Sequence, residues 1–365
     1  MTNVLISGAS IGGPALAYWL RRYGFSVTVV ERARGLRPGG QAIDVRGPAL
    51  EVVERMGLGD QLRSFDTNMR GMSMVDADGN ELFSSTTHTL SGGDLASPDV
   101  ELLRDDLANM LFDAAEGVEY LFDDTITSID GTRVTFEKAA PRDFDIIVGA
   151  DGLHSNVRRL AFGPEQRFIT NLGMNLAVFT APNFLGLDHW QTFQQGEIVG
   201  GGIMSARANA ECRVYMGFNG EVDFDYRDVD AQRALIAEKF ADAGWAWPTA
   251  LKHMWEAPDF HFDSMSQIRM DSWSRGNVVL LGDAGYCGSP LSGQGTSMAL
   301  VGAYVLAGEL RDNPGNPATA FQRYEEILRP YVTANQDMAL RNQERGGAPG
   351  DDFAEIVNSL SLPSY

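Results

Sequence analysis

A glycine-rich run near the start of the chain has the composition of a phosphate-binding turn. It reads Gly8-Ala9-Ser10-Ile11-Gly12-Gly13, follows a short β-rich stretch and precedes a segment with helical apolar spacing. Such a turn exposes backbone N–H groups at a helix N-terminus, where they can bind a pyrophosphate. Gly8 and Gly13 take the first and last glycine positions of the dinucleotide fingerprint, whereas Ser10 replaces the middle glycine and Gly12 keeps the turn open. An ordinary strand-to-helix turn is the alternative interpretation.

Glu31 favours the dinucleotide interpretation. It ends the second β-branched run about 20 residues after the turn, where a carboxylate can accept hydrogen bonds from both hydroxyls of an adenosine ribose. A solvated strand end is the alternative, but the turn and the carboxylate together predict a nucleotide site. We assign Arg32, the next residue, to the same site.

Two later segments repeat the pattern of a buried strand that ends in glycine and aspartate. The first leads into Asp151-Gly152, and the second leads into Gly282-Asp283. Pro290 and Gly293-Gln294-Gly295 follow the second at the head of a long apolar helix. Each motif alone could be a simple turn, because glycine and aspartate are common turn formers. Three such strand ends in one chain favour a shared ligand.

The elements that must position these residues alternate between strand and helix patterns. Residues 3–30 predict one βαβ unit, 99–115 predicts a helix, and 295–310 predicts a long apolar helix. A turn composition between residues 72–75 and 81–84 predicts a hairpin. The middle of the chain changes to alternating, β-rich segments and indicates a second domain.

The predicted organisation is therefore discontinuous. Residues 1–71, 97–168 and 268–312 form the dinucleotide-binding domain, 72–96 and 169–267 form a substrate-binding β-sheet domain, 313–345 form a C-terminal helix, and 346–365 form a poorly ordered tail. Pro330 should kink or break the C-terminal helix.

Candidate substrate contacts come from the β-rich domain, whose strands present alternate residues to opposite faces. Apolar faces or long hydrogen-bonding side chains single out Phe179, Gln191, Phe193, Met204, Arg213 and Tyr215. The alternative for each of them is a place in the core of that domain.

Composition excludes several function classes. The chain has 29 basic and 49 acidic residues and a net charge of −20, a field that repels nucleic acid and anionic membrane surfaces. It has two cysteines, and its five histidines are scattered without metal spacing, so we predict neither a disulfide framework nor a metal site. The apolar run 295–310 is shorter than the roughly 20 residues of a membrane span. We expect a cytoplasmic protein.

In order and spacing, the three glycine motifs resemble those of the single-component FAD-dependent aromatic hydroxylases typified by p-hydroxybenzoate hydroxylase. Within that family the chain is most similar to the tetracycline-inactivating and polyketide-hydroxylating branch, from residue 3 to about residue 345. The implied fold class is α/β: a glutathione-reductase-like Rossmann FAD-binding domain, an interleaved β-rich substrate domain and a C-terminal helix. By the same resemblance Arg46 and Arg104 match arginines that contact FAD, and Asp283 matches the aspartate of the ribityl chain. Tyr286 and Cys287 depart from the histidine of many relatives.

The resemblance implies an NAD(P)H-dependent monooxygenase that hydroxylates an aromatic or polycyclic, polyketide- or tetracycline-like molecule through a flavin C4a-hydroperoxide. FAD is the expected cofactor, and O2 and NADPH or NADH are the co-substrates. A second fingerprint is missing from the sequence, so the nicotinamide reductant should bind only transiently. We expect a monomer or a weak homodimer. An FAD oxidase or dehydrogenase without oxygen insertion, and a flavin-dependent protein that sequesters a metabolite, remain the alternatives.

Overall fold

The computed structural model describes residues 1–90, 92–196, 198–346 and 350–365. Its strands are, in chain order, β1 (Asn3–Ser7), β2 (Ser26–Glu31), β3 (Ala42–Val45), β4 (Gly71–Val75), β5 (Glu81–Ser85), β6 (His88–Thr89), β7 (Gly93–Asp94), β8 (Val100–Leu103), β9 (Glu119–Phe122), β10 (Ile126–Asp130), β11 (Arg133–Phe136), β12 (Arg142–Asp143), β13 (Ile146–Gly149), β14 (Ile169–Pro182), β15 (Trp190–Gln194), β16 (Val199–Ala206), β17 (Glu211–Asn219), β18 (His261–Ile268), β19 (Ser274–Arg275) and β20 (Val278–Leu280).

The helices are α1 (Gly12–Arg22), α2 (Pro48–Arg55), α3 (Gly59–Ser64), α4 (Arg104–Ala114), α5 (Asn156–Phe162), α6 (Val229–Lys239), α7 (Trp247–Glu256), α8 (Asp283–Tyr286), α9 (Gly295–Asp312), α10 (Pro317–Glu344) and α11 (Phe353–Val357). Short 3-10 turns occur at Glu165–Arg167 and Pro290–Ser292.

The first sheet has the strand order β19-β20-β13-β1-β2-β9, and all its neighbours are parallel except β19 and β20. Its central strands are continuous apolar runs, as expected for strands that helices cover on both faces. Ser7 pairs with Gly149, and Gly149 pairs with Leu280. The three glycine-containing strand ends therefore meet at one edge of the sheet, where ligands bind in folds of this kind.

The second sheet has the order β18-β14-β17-β16-β15-β4-β5 and is antiparallel except between β15 and β4. One of its faces packs on α6 and α7, in a core that includes Phe179, Val214 and Trp247. The hairpin predicted from residues 72–84 is confirmed, since β4 and β5 pair antiparallel. It joins this sheet across a gap of more than 80 residues in the chain.

Two predictions about helices need correction, and a third concerns the C-terminal tail. Residues 100–103 are strand rather than helix, because β8 pairs antiparallel with β3 and satisfies its backbone there; α4 begins only at Arg104. Helix α10 continues through Pro330 without a break.

The C-terminal tail is structured in the residues described, and residues 347–349 lie outside them. Helix α11 is followed by a segment that packs on α9. The Tyr365 hydroxyl donates to Glu309 Oε1 at 2.8 Å, and the Tyr304 hydroxyl donates to the carbonyl of Pro363 at 2.9 Å. None of the described helices is both long enough and apolar enough to cross a membrane.

Candidate active site

The turn after β1 leaves no room for side chains at two positions. Gly8 has a φ of +108°, and a Cβ there would lie 2.4 Å from the carbonyl oxygen of Ala150. A Cβ on Gly13 would lie 1.9 Å from the carbonyl oxygen of Gly8. At Gly12 the nearest atom would be 3.4 Å away. The close approach of β1, β13 and α1 therefore requires glycine at the two ends of the fingerprint, and α1 begins directly from it.

Glu31 connects this turn to the end of β2. Its carboxylate accepts hydrogen bonds from the backbone N–H groups of Ala9 and Ala33, both at 2.8 Å. Arg32, next to it, is exposed. Ser10 is exposed in the turn.

Arg104 approaches the turn from the start of α4. It donates to the carbonyl oxygen of Gly39 at 2.9 Å and lies 3.4 Å from the Ser10 hydroxyl, but its Nε has no hydrogen-bond partner among the described residues. Burial, together with the positive charges of Arg37 and Arg213, lowers the pKa of Arg104 to about 10. A buried guanidinium of this kind is suited to bind an anion beside the glycine turn.

The carboxylate of Asp151, like that of Glu31, is occupied by donors of the protein itself. The hydroxyl of Ser155 donates to one oxygen, and the backbone N–H groups of Asn156 and Val157 donate to the other at 3.0 and 3.1 Å. Burial raises its pKa above the ordinary value. Asp151 thus fixes the start of α5, and Gly152 beside it has a φ of +79° with open space around its Cα.

A cavity of about 1970 Å³ extends from this edge of the first sheet to the uncovered face of the second sheet. It brings together several of the predicted residues: Arg46, Asp283, Pro290, Gly293, Gln294, Gly295, Phe193 and Tyr215. Gln294 precedes α9 and is 0% exposed, yet neither its amide oxygen nor its amide nitrogen has a hydrogen-bond partner in the described structure. A ligand or a water molecule would supply hydrogen bonds to this amide, because a buried amide without partners costs free energy.

Asp283 follows Gly282, whose φ is +62°, and lines the same cavity. Burial raises the pKa of Asp283; a hydrogen bond from Cys287 opposes this, and the negative charge of Asp263 adds to it. Cys287 lines the cavity too, whereas Tyr286 packs in the core and hydrogen-bonds the hydroxyl of Tyr324 at 2.9 Å. The unusual Tyr286 therefore does not form part of the cavity wall.

Arg46 lies where β3 ends, in the cavity wall. Its guanidinium contacts Asp44 at 2.9 Å and Asp99 at 3.4 Å, and it stacks over the ring of Phe353 at 5.3 Å. The C-terminal segment that contains Phe353 thereby covers one side of the cavity.

The predicted substrate residues separate into two groups. Phe193 and Tyr215 line the cavity, whereas Phe179, Gln191, Met204 and Arg213 are fully buried elsewhere. Phe179 belongs to the core against α6 and α7, because it lies on the opposite face of β14.

The other three buried residues have partners within the protein. Gln191 and Met204 contact each other across β15 and β16 at 3.8 Å. Arg213 donates to the carbonyl of Gly40 and pairs with Glu211, both at 2.8 Å. All four residues are therefore buried inside the protein, which is the alternative stated for them above, and they do not line the cavity.

Sequence reasoning missed three polar residues of the cavity wall: Asp44, Asn175 and Asn342. Each has a buried side-chain oxygen without a hydrogen-bond partner in the described structure. Asp44 adjoins the Val45-Arg46-Gly47 segment and could have been considered with Arg46. The two asparagines carry no sequence signal, because β14 and α10 meet at the cavity only in the folded chain.

The site fits FAD. The glycine turn provides a cradle that Cβ atoms would fill, Glu31 stands at its side, and the unpaired groups of Arg104 and Gln294 mark two points where a bound molecule would supply partners.

Comparison with known proteins agrees with this geometry. Residues 1–336 match the FAD binding domain family. A protein of Mycobacterium tuberculosis, named only as uncharacterised, is 54% identical with full coverage of both chains. A flavin-dependent monooxygenase of Legionella longbeachae is 38% identical, covering 100% of this chain and 98% of the relative.

Among solved structures, the tetracycline destructase Tet(51) has a TM-score of 0.90 and 35% identity, with 100% of both chains covered. The chain therefore belongs to the FAD binding domain family and is an FAD-dependent flavoprotein monooxygenase, near the tetracycline-inactivating branch of the p-hydroxybenzoate hydroxylase-like enzymes.

Proposed function

We propose that this monooxygenase transfers one oxygen atom to a neutral or cationic polycyclic phenol or enol, with NADPH or NADH as the electron donor. The observation that carries the proposal is the character of the cavity, which is large, acidic and lined with hydrogen-bond acceptors. We also propose that the segments 72–96 and 169–267 supply the substrate side and that the remaining sheet holds FAD.

The size of the cavity favours a polycyclic molecule. Ordinary small-molecule pockets measure about 300–1,000 Å³, and this one measures about 1970 Å³. It therefore has room for the flavin ring and for a substrate of several fused rings. Apolar side chains such as Met174, Met265 and Leu291 line it and can pack on ring faces.

The charges of the cavity wall disfavour an anionic substrate. Among the described lining residues, the acidic ones are Asp44, Glu51, Asp94, Asp99, Asp283 and Asp351, and the basic ones are Arg46 and Arg345. Arg46 already contacts two carboxylates, and Arg345 is exposed. An aromatic carboxylate would enter a wall in which these carboxylates outnumber the two guanidinium groups, and it would lose its hydration there.

The unpaired acceptors favour a substrate with several hydroxyl or N–H donors. Asn175 donates its amide to Gly220 and Asn342 donates to Leu291, and the amide oxygen of each has no partner in the described structure. A donor on the substrate would satisfy such an oxygen where it reaches it, and an apolar analogue would leave the oxygen unpaired at a cost of about 1–3 kcal/mol.

In this proposal, bound FAD supplies oxygen activation and transfer. The protein contributes orientation and charge stabilisation: α9 begins at Gly295 in the cavity wall, and the positive end of its dipole favours negative charge nearby. Phe353 and its neighbours cover the cavity and limit the entry of water.

The test uses the FAD-loaded protein with tetracycline, with alizarin as a hydroxyanthraquinone that has no carboxylate, and with 4-hydroxybenzoate as a carboxylate. We expect oxygen-dependent NADPH or NADH oxidation and a product that gains one oxygen atom, measured by mass spectrometry, with at least one of the first two compounds. Oxygenation of 4-hydroxybenzoate alone would refute the proposed substrate class.

A further inference from the structure

Three methionines place thioether side chains in the wall of the cavity. The chain has 14 methionines, of which nine are buried. Met74, Met174 and Met265 line the cavity and are half-buried, so each presents part of its surface there. The other two are Met1, which is 90% exposed, and Met69, which is half-buried, and neither belongs to the lining residues described. Met69 therefore matches the cavity methionines in exposure but not in location.

Met265 lies beside the loop that follows the third glycine motif. The backbone carbonyl of the next residue, Ser266, accepts a hydrogen bond from Cys287 Sγ at 3.5 Å. Cys287 lines the cavity and follows Asp283 by four residues. Met174 adjoins Met265, because β14 and β18 pair antiparallel on either side of a bulge at this point. Two thioethers are thus next to the part of the cavity in which Asp283 is expected to contact FAD.

Met74 lies at the far side of the same wall. It belongs to β4, which is four strands away from β14 in the second sheet. At the usual spacing between strands this separation is about 19 Å. An oxidant that forms beside Asp283 therefore reaches Met174 and Met265 before it reaches Met74.

The thioether is the sulfur group of this cavity that reacts without losing a proton. Its sulfur is soft and polarizable, and an oxidant converts it to the sulfoxide. The competing sulfur is the thiol of Cys287. Burial and the negative charge of Asp283 raise the pKa of Cys287 well above its ordinary value. Cys287 therefore stays a protonated thiol, and such a thiol is a weak nucleophile.

We propose that Met174 and Met265 are modification sites, at which the enzyme oxidises its own thioethers to sulfoxides when no substrate fills the cavity. A flavin-dependent monooxygenase reduces O2 to the level of peroxide with two electrons from its nicotinamide reductant. With hydrogen peroxide as the oxygen donor, the sulfur lone pair forms an S–O bond and the O–O bond breaks. The second oxygen leaves as water with both protons, so the sulfur loses two electrons and the peroxide gains them.

The modification changes the character of the wall. A sulfoxide is polar, whereas the thioether is apolar and packs on ring faces, so oxidation at Met174 and Met265 weakens the binding of an apolar ring system. Methionine sulfoxide reductases reverse the change. The inference goes beyond the proposed function, because it requires the oxygen chemistry of the enzyme but no particular substrate.

The test uses the FAD-loaded protein without any organic substrate. Its flavin is reduced with dithionite in the absence of oxygen, the excess reductant is removed, and the protein is mixed with oxygenated buffer that contains catalase. The cycle is repeated, and tandem mass spectrometry of the digested protein locates each sulfoxide. Catalase is too large to enter the cavity, so it removes only the peroxide that has escaped. A sample carried through the same steps without reduction measures oxidation from handling.

We expect at least about tenfold more sulfoxide at Met174 and Met265 than at Met69, because the oxidant forms next to the first two. Met74 should carry less than either. Equal sulfoxide at Met69 and the two cavity methionines, or the same amounts in the unreduced sample, would overturn the proposal. A protein that cannot be loaded with FAD would overturn it together with the cofactor assignment, whereas rejection of every polycyclic phenol would overturn only the proposed substrate class.

A second measurement uses the double variant M174L/M265L, in which leucine keeps the volume of each side chain but has no sulfur. After the same cycles, the intact mass of this variant should show clearly less oxygen uptake than the wild type. M69L is the matched control and should take up as much oxygen as the wild type. Equal uptake by M174L/M265L and the wild type would mean that other groups accept the oxygen, and the proposal would fail.

Discussion

Replacing His154 by glutamine should destabilise the protein more at pH 6 than at pH 9.5. His154 bridges the two sheets: its ring contacts Glu165 at 2.8 Å and Asp263 of β18 at 3.2 Å, and it stacks on Tyr226 at 4.4 Å. Burial alone would lower the pKa of His154, but the hydrogen bonds and charges of Asp263 and Glu165 raise it to about 9.

The sign follows from linkage between proton binding and folding. The pKa of His154 is higher in the folded chain than its unfolded value of about 6.5, so the protonated ring favours the folded state. This stabilisation is complete below about pH 6.5 and disappears as the pH rises through 9. The shift of the pKa from 6.5 to about 9 corresponds to about 3 kcal/mol as an upper value at 1.36 kcal/mol per unit. Part of this free energy is offset because Glu165 and Asp263 are also partly buried and lose hydration, so we expect H154Q to lower the free energy of unfolding by about 1–3 kcal/mol more at pH 6 than at pH 9.5.

The assay is chemical denaturation of wild type and H154Q at saturating FAD, at pH 6 and pH 9.5. Other groups that titrate in this range, such as Asp44, cancel when the two proteins are compared at each pH. The matched control is H261Q. Burial, the charge of Arg37 and other nearby cations lower the pKa of His261 to about 4, so it stays neutral in the folded chain at both pH values. Because the unfolded chain binds a proton at His261 at pH 6, loss of this histidine should cost less at pH 6 than at pH 9.5, the opposite of the H154Q trend. An H154Q cost that does not change between pH 6 and pH 9.5 would refute the protonated bridge.

Further predictions concern the cofactor turn and the C-terminus. Gly13→Ala should abolish FAD loading, because its Cβ would lie 1.9 Å from a backbone carbonyl. The control Gly24→Ala meets open space and adds only the local strain of a φ of +85°, so it should retain flavin; absorbance of the purified proteins measures this. Glu31→Gln should weaken FAD binding by about 1–3 kcal/mol, measured by flavin fluorescence, and unchanged affinity would contradict the role of its carboxylate. Tyr365→Ala should lower the free energy of unfolding by about 2–4 kcal/mol through lost packing on α9. Tyr365→Phe, which removes only the bond to Glu309, should cost about 0.5–1.5 kcal/mol, and equal costs for the two variants would argue against the packing.

The sequence by itself determined the features that depend on neighbouring residues. The glycine turn, the long apolar helix α9 and the β4–β5 hairpin follow from local spacing and turn chemistry. The meeting of the three glycine motifs at one edge also follows, because parallel strands in a βαβ arrangement present their carboxyl ends together, as the pairing of Ser7, Gly149 and Leu280 shows.

The tertiary structure decided the features that depend on distant residues. Alternation along β14 and β17 was evident, but which face is covered depends on α6 and α7, so Phe179 lies in the core while Tyr215 lines the cavity. Residues 100–103 become strand only because β3 lies alongside.

One cavity is lined by Asp44, Asn175 and Asn342, which come from three separate parts of the chain and each have a side-chain oxygen without a partner in the described structure. A local pattern cannot encode this arrangement, because the burial and the missing partners exist only after the two sheets and α10 have packed together.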